Sequence, residues 1–157
     1  MHKLQSALEY LMTYSWAILI IAIALVALYA LNVFSPQTYF TNLCTMPAGF
    51  NCISDYLYGN GLVLLNVEYT NTNPISVKQV GCNSNETLAN AHTYANAIVM
   101  NTGTNYTFIV QCYSGNTMFT GSLGDIFTGS AAINYTDAYT GFQNLIYGKL
   151  ETKVVHK

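Results

Sequence analysis

The chain has 157 residues, enough for one ordinary domain and an anchor. Only 8% of them are charged, Arg is absent, and the formal net charge is -2. That charge argues against a nucleic-acid partner, which needs clustered Lys or Arg to neutralise phosphates. The one basic cluster, Lys149, Lys153, His156 and Lys157, reads as a solvated last strand and tail.

The N-terminal segment begins with a short basic flank, His2-Lys3, and carries one acid, Glu9. No Asp, Glu, Lys or Arg follows until Asp55, and Trp16 to Leu31 is apolar throughout. Leu, Ile and Ala dominate this run, with no Gly or Pro, so one unbroken helix is predicted from Gln5 to Phe34. Pro36 ends it. At 1.5 Å per residue such a helix is roughly 45 Å long, more than the ~30 Å of a bilayer core. A cleavable secretory signal has a shorter apolar region, and a plain signal anchor needs no Glu9. The basic flank fits a cytoplasmic N-terminus. A carboxylate beside a membrane span is costly unless it has a purpose; the simpler reading is a headgroup-level acid favouring the helix N-terminus.

Downstream of Pro36 the composition shifts to Asn, Thr, Gly, Tyr and Ser, with Ser35 to Asn51 as the candidate neck. Strands are predicted over 61–70 and 75–82 around an Asn71–Pro74 turn, and over 97–100 and 106–113 around Asn101–Thr104. Further strands are predicted over 118–122, 131–136 and 145–155, while 87–96 reads equally as strand or short helix. Seven or so strands at this spacing predict an antiparallel immunoglobulin-like β-sandwich. The fold class expected is therefore α+β: a long N-terminal hydrophobic α-helix followed by that sandwich. The domains expected are a leader (1–4), a transmembrane or core helix (5–35) and a head (36–157).

Cys44, Cys52, Cys82 and Cys112 all follow the helix. An even count on an extracellular side predicts two disulfides, for which three connectivities exist. Cys44–Cys52, closing a short loop with Pro47 and Gly49, and Cys82–Cys112, joining one strand end to another strand, are the pairs expected. A zinc site lacks paired C-x-x-C spacing, and the histidines lie elsewhere. The sequons at Asn85, Asn105 and Asn134 are candidate N-glycosylation sites. No nucleophile elbow, metalloprotease helix, P-loop or dinucleotide fingerprint occurs, so neither catalysis nor a cofactor is expected. The 13 tyrosines suit contact surfaces.

The N-terminal 34 residues resemble the class III signal peptide and first helix of archaeal type IV pilins and archaellins. The residues that carry the resemblance are the short leader ending at Leu4, the helix start at Gln5, Glu9 at the fifth position after the cut, and the run Tyr10 to Ile20 with Tyr14 and Trp16. The resemblance implies cleavage between Leu4 and Gln5 by a prepilin peptidase. It also implies a membrane-inserted precursor and an assembly machinery. The product is a homopolymeric extracellular filament for adhesion or motility, with Glu9, Tyr10, Tyr14 and Trp16 in its core. It further implies an immunoglobulin-like head and surface glycosylation. A monomeric membrane-anchored extracellular binding module and a minor pilin are the competing readings.

Overall fold

The computed structural model describes the backbone of residues 2–31 and 42–156, and the side chains of residue 9, residues 12–31 and residues 42–155. Two compact units divide between residues 39 and 40. The first contains one helix, α1 (His2–Ala30). It closes four residues before the predicted end at Phe34. Its part long and apolar enough to cross a membrane is Met12–Ala30, 19 residues or roughly 28 Å. None of that part is buried within the protein.

The second unit is built from nine strands: β1 (Leu43–Thr45), β2 (Phe50–Tyr58), β3 (Leu62–Tyr69), β4 (Ile75–Asn83), β5 (His92–Met100), β6 (Asn105–Ser114), β7 (Thr117–Met118), β8 (Ile126–Asp137) and β9 (Gln143–His156). They do not form the expected immunoglobulin-like sandwich. Six of them close into a barrel in the order β4-β8-β9-β2-β3-β6, with β6 returning to β4. With one helix of short apolar span and nine strands among the described residues, the molecule is mostly β rather than α+β.

The closure explains the difference. Two antiparallel trios, β4-β8-β9 and β2-β3-β6, would leave open edges if they only stacked. They are joined instead by two short parallel seams. Leu57 and Tyr58 of β2 pair with Val154 and His156 of β9. Cys82 and Asn83 of β4 pair with Cys112 and Tyr113 of β6. β5 adds to β4, β7 to β6 and β1 to β9 outside the ring.

Alternation sets which side chains fill the barrel. On β3 every second residue, Val63, Leu65, Val67 and Tyr69, points inward and is buried. Val77 and Val80 of β4, Phe108 and Val110 of β6, and Leu150 and Val154 of β9 meet them in one core. Fully burying each such side chain contributes about 1.5–3 kcal/mol. β2 departs from strict alternation: the register slips between Cys52 and Ser54, so Phe50 faces inward before the bulge and Asp55 and Leu57 after it. The β2–β3 turn closes at Gly61, whose φ of 83° favours glycine and whose missing Cβ leaves room for the Phe119 carbonyl.

Candidate functional site

In α1 the residues just before the apolar stretch satisfy their own polar groups. The Thr13 hydroxyl donates to the Glu9 carbonyl at 2.8 Å, and the Ser15 hydroxyl to the Met12 carbonyl at 3.0 Å. The Thr13 and Ser15 hydroxyls therefore need neither water nor a partner helix. The Glu9 side chain is exposed, as are Tyr14 and, at 65%, Trp16. The side chains of Leu4, Gln5 and Tyr10 lie outside the described residues. The rest of the stretch, from Ile18 to Leu31, presents its large apolar side chains outward on all faces. A helix apolar all round has to be covered, by lipid or by like helices.

The cysteines are placed where the barrel is thinnest in main-chain hydrogen bonds. Cys82 and Cys112 are directly opposed across the β4/β6 seam and disulfide-bonded, with Cα atoms 4.4 Å apart. Cys44 bonds Cys52, tying β1 to β2 with Cα atoms 5.8 Å apart. Because β1 is laddered to β9 through Leu43, Cys44 and Thr45, that bond also bridges the β2/β9 seam. Asn42 spans the same seam: its amide donates to the Asp55 carbonyl at 3.5 Å, and its oxygen accepts the Lys153 N–H at 3.1 Å. Disulfides persist in oxidising compartments, so the two bridges point to an extracytoplasmic location, and the N-terminal helix supplies a candidate anchor or span.

Inside the β2/β9 seam lies a polar pair that sequence reasoning missed. Asp55 is 8% exposed and Thr152 fully buried. The Thr152 hydroxyl lies close enough to favour the carboxylate electrostatically. It is not in hydrogen-bonding geometry, and Asp55 Oδ2 and Thr152 Oγ1 both lack a partner. Burial pushes the Asp55 carboxyl up from its usual range, outweighing Thr152 and its own backbone N–H. Among the described residues no base faces it: Lys153 and Glu151 flank Thr152 on β9 and so alternate to the other face, and Lys149 pairs with Glu151 at 2.8 Å. The bulge at Ile53 hid this inward position, because simple alternation does not count Asp55 in step with Phe50.

The three sequons are not equivalent. Asn85 lies exposed in the loop after β4, and Asn105 exposed at the start of β6 with Thr107 on the same outer face. Asn134 is 8% exposed and fully engaged. Its amide donates to Gln79 Oε1 at 3.0 Å and its oxygen accepts from Gln143 Nε2 at 2.9 Å. Gln79 in turn donates to Thr93 Oγ1 at 3.0 Å, so a ladder of side-chain hydrogen bonds crosses β5, β4, β8 and β9.

No group of three or more His, Cys, Asp or Glu side chains able to hold a metal occurs among the described residues. A shallow recess on the outer wall is lined by Tyr56, Tyr58, Leu64 and Val155, without an acid, base or nucleophile. Such surfaces suit contact rather than chemistry. No family model and no curated protein matches the chain.

Proposed function

We propose that the protein is a structural subunit of an extracellular archaeal filament, type IV pilus-like or archaellum-like, serving adhesion or motility. The observation that carries this reading is the 19-residue apolar stretch Met12–Ala30, unburied within the chain, with a single exposed carboxylate, Glu9, just before it. The same surface is at home in a bilayer before assembly and against neighbouring helices after it. Each Leu or Ile covered on assembly exchanges lipid for packed protein. Register therefore has to come from a polar contact rather than from apolar area. Glu9 supplies it by pairing with the new amino terminus at Gln5 of a neighbouring copy, once a prepilin peptidase has cut after Leu4. An acid on an apolar helix is costly without such a partner.

Glu9→Gln and Glu9→Leu test this. Both variants are expected to enter the membrane at the wild-type level, because losing a charge eases insertion. Filament yield in the sheared fraction, seen by negative stain and divided by the membrane pool, is expected to fall with both, most with Glu9→Leu. Undiminished yield in both would reduce Glu9 to a helix-end residue. Absence of polymer from wild-type shear fractions would instead favour a monomeric, membrane-anchored binding module.

A further inference from the structure

At one end of the barrel four loops are hydrogen-bonded into a single surface. They are 46–49, 70–74, 101–104 and 137–142. The Thr70 N–H donates to the Gly49 carbonyl at 2.9 Å, and the Ala138 N–H to the Pro74 carbonyl at 3.0 Å. The Thr102 hydroxyl donates to the Asn71 carbonyl, and the Gly103 N–H to the Tyr69 carbonyl at 2.7 Å. The β8–β9 hairpin tip rises from this surface and is rigidly built. Asp137 Oδ1 accepts from the Tyr139 N–H at 2.9 Å and the Thr140 N–H at 2.8 Å, while the Gly141 N–H closes on the Asp137 carbonyl at 2.9 Å. These bonds, the Thr140 N–H foremost, hold the Asp137 carboxyl below the usual carboxylate range. On this fixed turn two aromatic rings stand in solvent, Tyr139 at 77% and Phe142 at 73% exposure.

The chemistry around the rings selects a partner. Asp137 is the one Asp, Glu, Lys, Arg or His in the four loops, and two backbone N–H groups already occupy its Oδ1. An anionic ligand, whether phosphate, nucleic acid or acidic lipid, has no cation to meet there. Insertion into a bilayer would strip water from the surrounding Asn and Thr amides and hydroxyls, a cost that two rings do not repay. A neutral saccharide has what this surface offers to match: an apolar C–H face for a flat ring, and hydroxyls for Asn and Thr groups. Rigid aromatic anchors among adaptable Asn, Thr and Gly are also the composition of low-entropy recognition loops on β-frameworks.

We propose that the 137–142 hairpin tip is a binding site for uncharged saccharides, with Tyr139 and Phe142 as stacking platforms. This is independent of whether the subunits polymerise. The full chain, solubilised in detergent, is applied to an array of uncharged oligosaccharides, with sialylated and sulfated ones as charged controls. Retention on uncharged sugars is expected. Tyr139→Ala and Phe142→Ala should each weaken it at least about tenfold. Phe142→Tyr, which keeps the ring, should hold within about twofold, and so should Leu123→Ala, an exposed side chain away from these loops. Both rings are exposed, so unchanged thermal unfolding of the variants separates lost binding from lost folding. Binding to no uncharged sugar, binding only to charged ones, or binding undiminished in both alanine variants overturns the proposal. So does capture of zwitterionic vesicles by the nanodisc-held chain that Phe142→Ala abolishes while no sugar is bound.

Discussion

Replacing Asp55 by Asn should stabilise the barrel at neutral pH and leave it unchanged in acid. The carboxyl is buried against Thr152, with Oδ2 and the Thr152 hydroxyl both unpartnered and no base facing it. Burial raises its pKa in the folded state above the ordinary carboxylate range. The folded protein therefore holds this proton more tightly than the unfolded chain. Well below the ordinary carboxylate range both states are protonated, and Asp55 carries no charge penalty. As pH rises from there through the raised folded value, the unfolded chain binds fewer protons than the folded one, and stability falls. Above that value the loss is complete and constant. Asparagine keeps the shape, removes the charge, and brings beside Thr152 an N–H donor where the protonated carboxyl supplies an O–H in acid.

Leaving a buried polar atom unsatisfied costs about 1–3 kcal/mol, so Asp55→Asn should gain about that much at pH 7. For a domain of this size each kcal/mol moves the unfolding midpoint by about 3–5 °C. The assay is thermal unfolding of full chain and variant, disulfides intact, followed by near-ultraviolet circular dichroism from pH 3 to pH 8. Asp137, whose carboxyl is depressed, contributes stability that is lost as pH falls, but it is common to both proteins and cancels in the difference. The difference curve should be near zero at the acid end and rise to a plateau. A variant less stable at pH 7, or a difference flat across pH, would refute the reasoning.

Two other perturbations probe the frame. Intact mass should lie about 4 Da below that of the reduced chain, two hydrogens per bridge; chain-entropy arithmetic gives about 3.6 kcal/mol for Cys82–Cys112 and about 2.5 kcal/mol for Cys44–Cys52, so reduction should lower the midpoint more through the former. Four alkylatable thiols in the native protein would remove both bridges and the extracytoplasmic assignment. Asn134→Ala breaks the ladder between Gln79 and Gln143 and should cost about 1–3 kcal/mol in denaturant unfolding, whereas Asn105→Ala, exposed on the outer wall, should stay within about 0.5 kcal/mol. Equal effects of the two would mean that the ladder contributes nothing.

What was legible in the sequence follows from the range of the interactions concerned. The helix announces itself by sixteen apolar residues from Trp16, and β3, β4 and β6 by alternation between Asn-, Pro- and Gly-containing turns. β2 was missed because its bulge breaks the alternation, and β1 because three residues laddered to a distant strand carry no local signal. β8 was read too short: Ser130 to Asn134 is buried at every residue, so no period of two marks it. Barrel closure was illegible for the same reason, since it rests on two pairs at each seam between strands far apart in sequence. Asn134 matched a sequon, but its surroundings come from Gln79, 55 residues away.

Closure also bears on how many heads can crowd together without fusing. Heads held at high local density, on a membrane or along a fibre, risk main-chain pairing wherever a long flat strand edge is exposed. The six-strand ring closes those edges at its two seams, each of two residue pairs. Of the strands added outside it, β7 has two residues and β1 three, too short to template a partner. β5 is the longest, with nine residues. Its pairing with β4 jumps from Ile98 opposite Val77 to Thr93 opposite Gln79, so residues 94–97 bulge out of the ladder. A bulged edge twists away from a flat partner. The outer wall of the ring presents side chains instead, the row Tyr56, Leu64 and Ile109 across β2, β3 and β6 among them. A wall of side chains can be covered and released without rewriting a sheet.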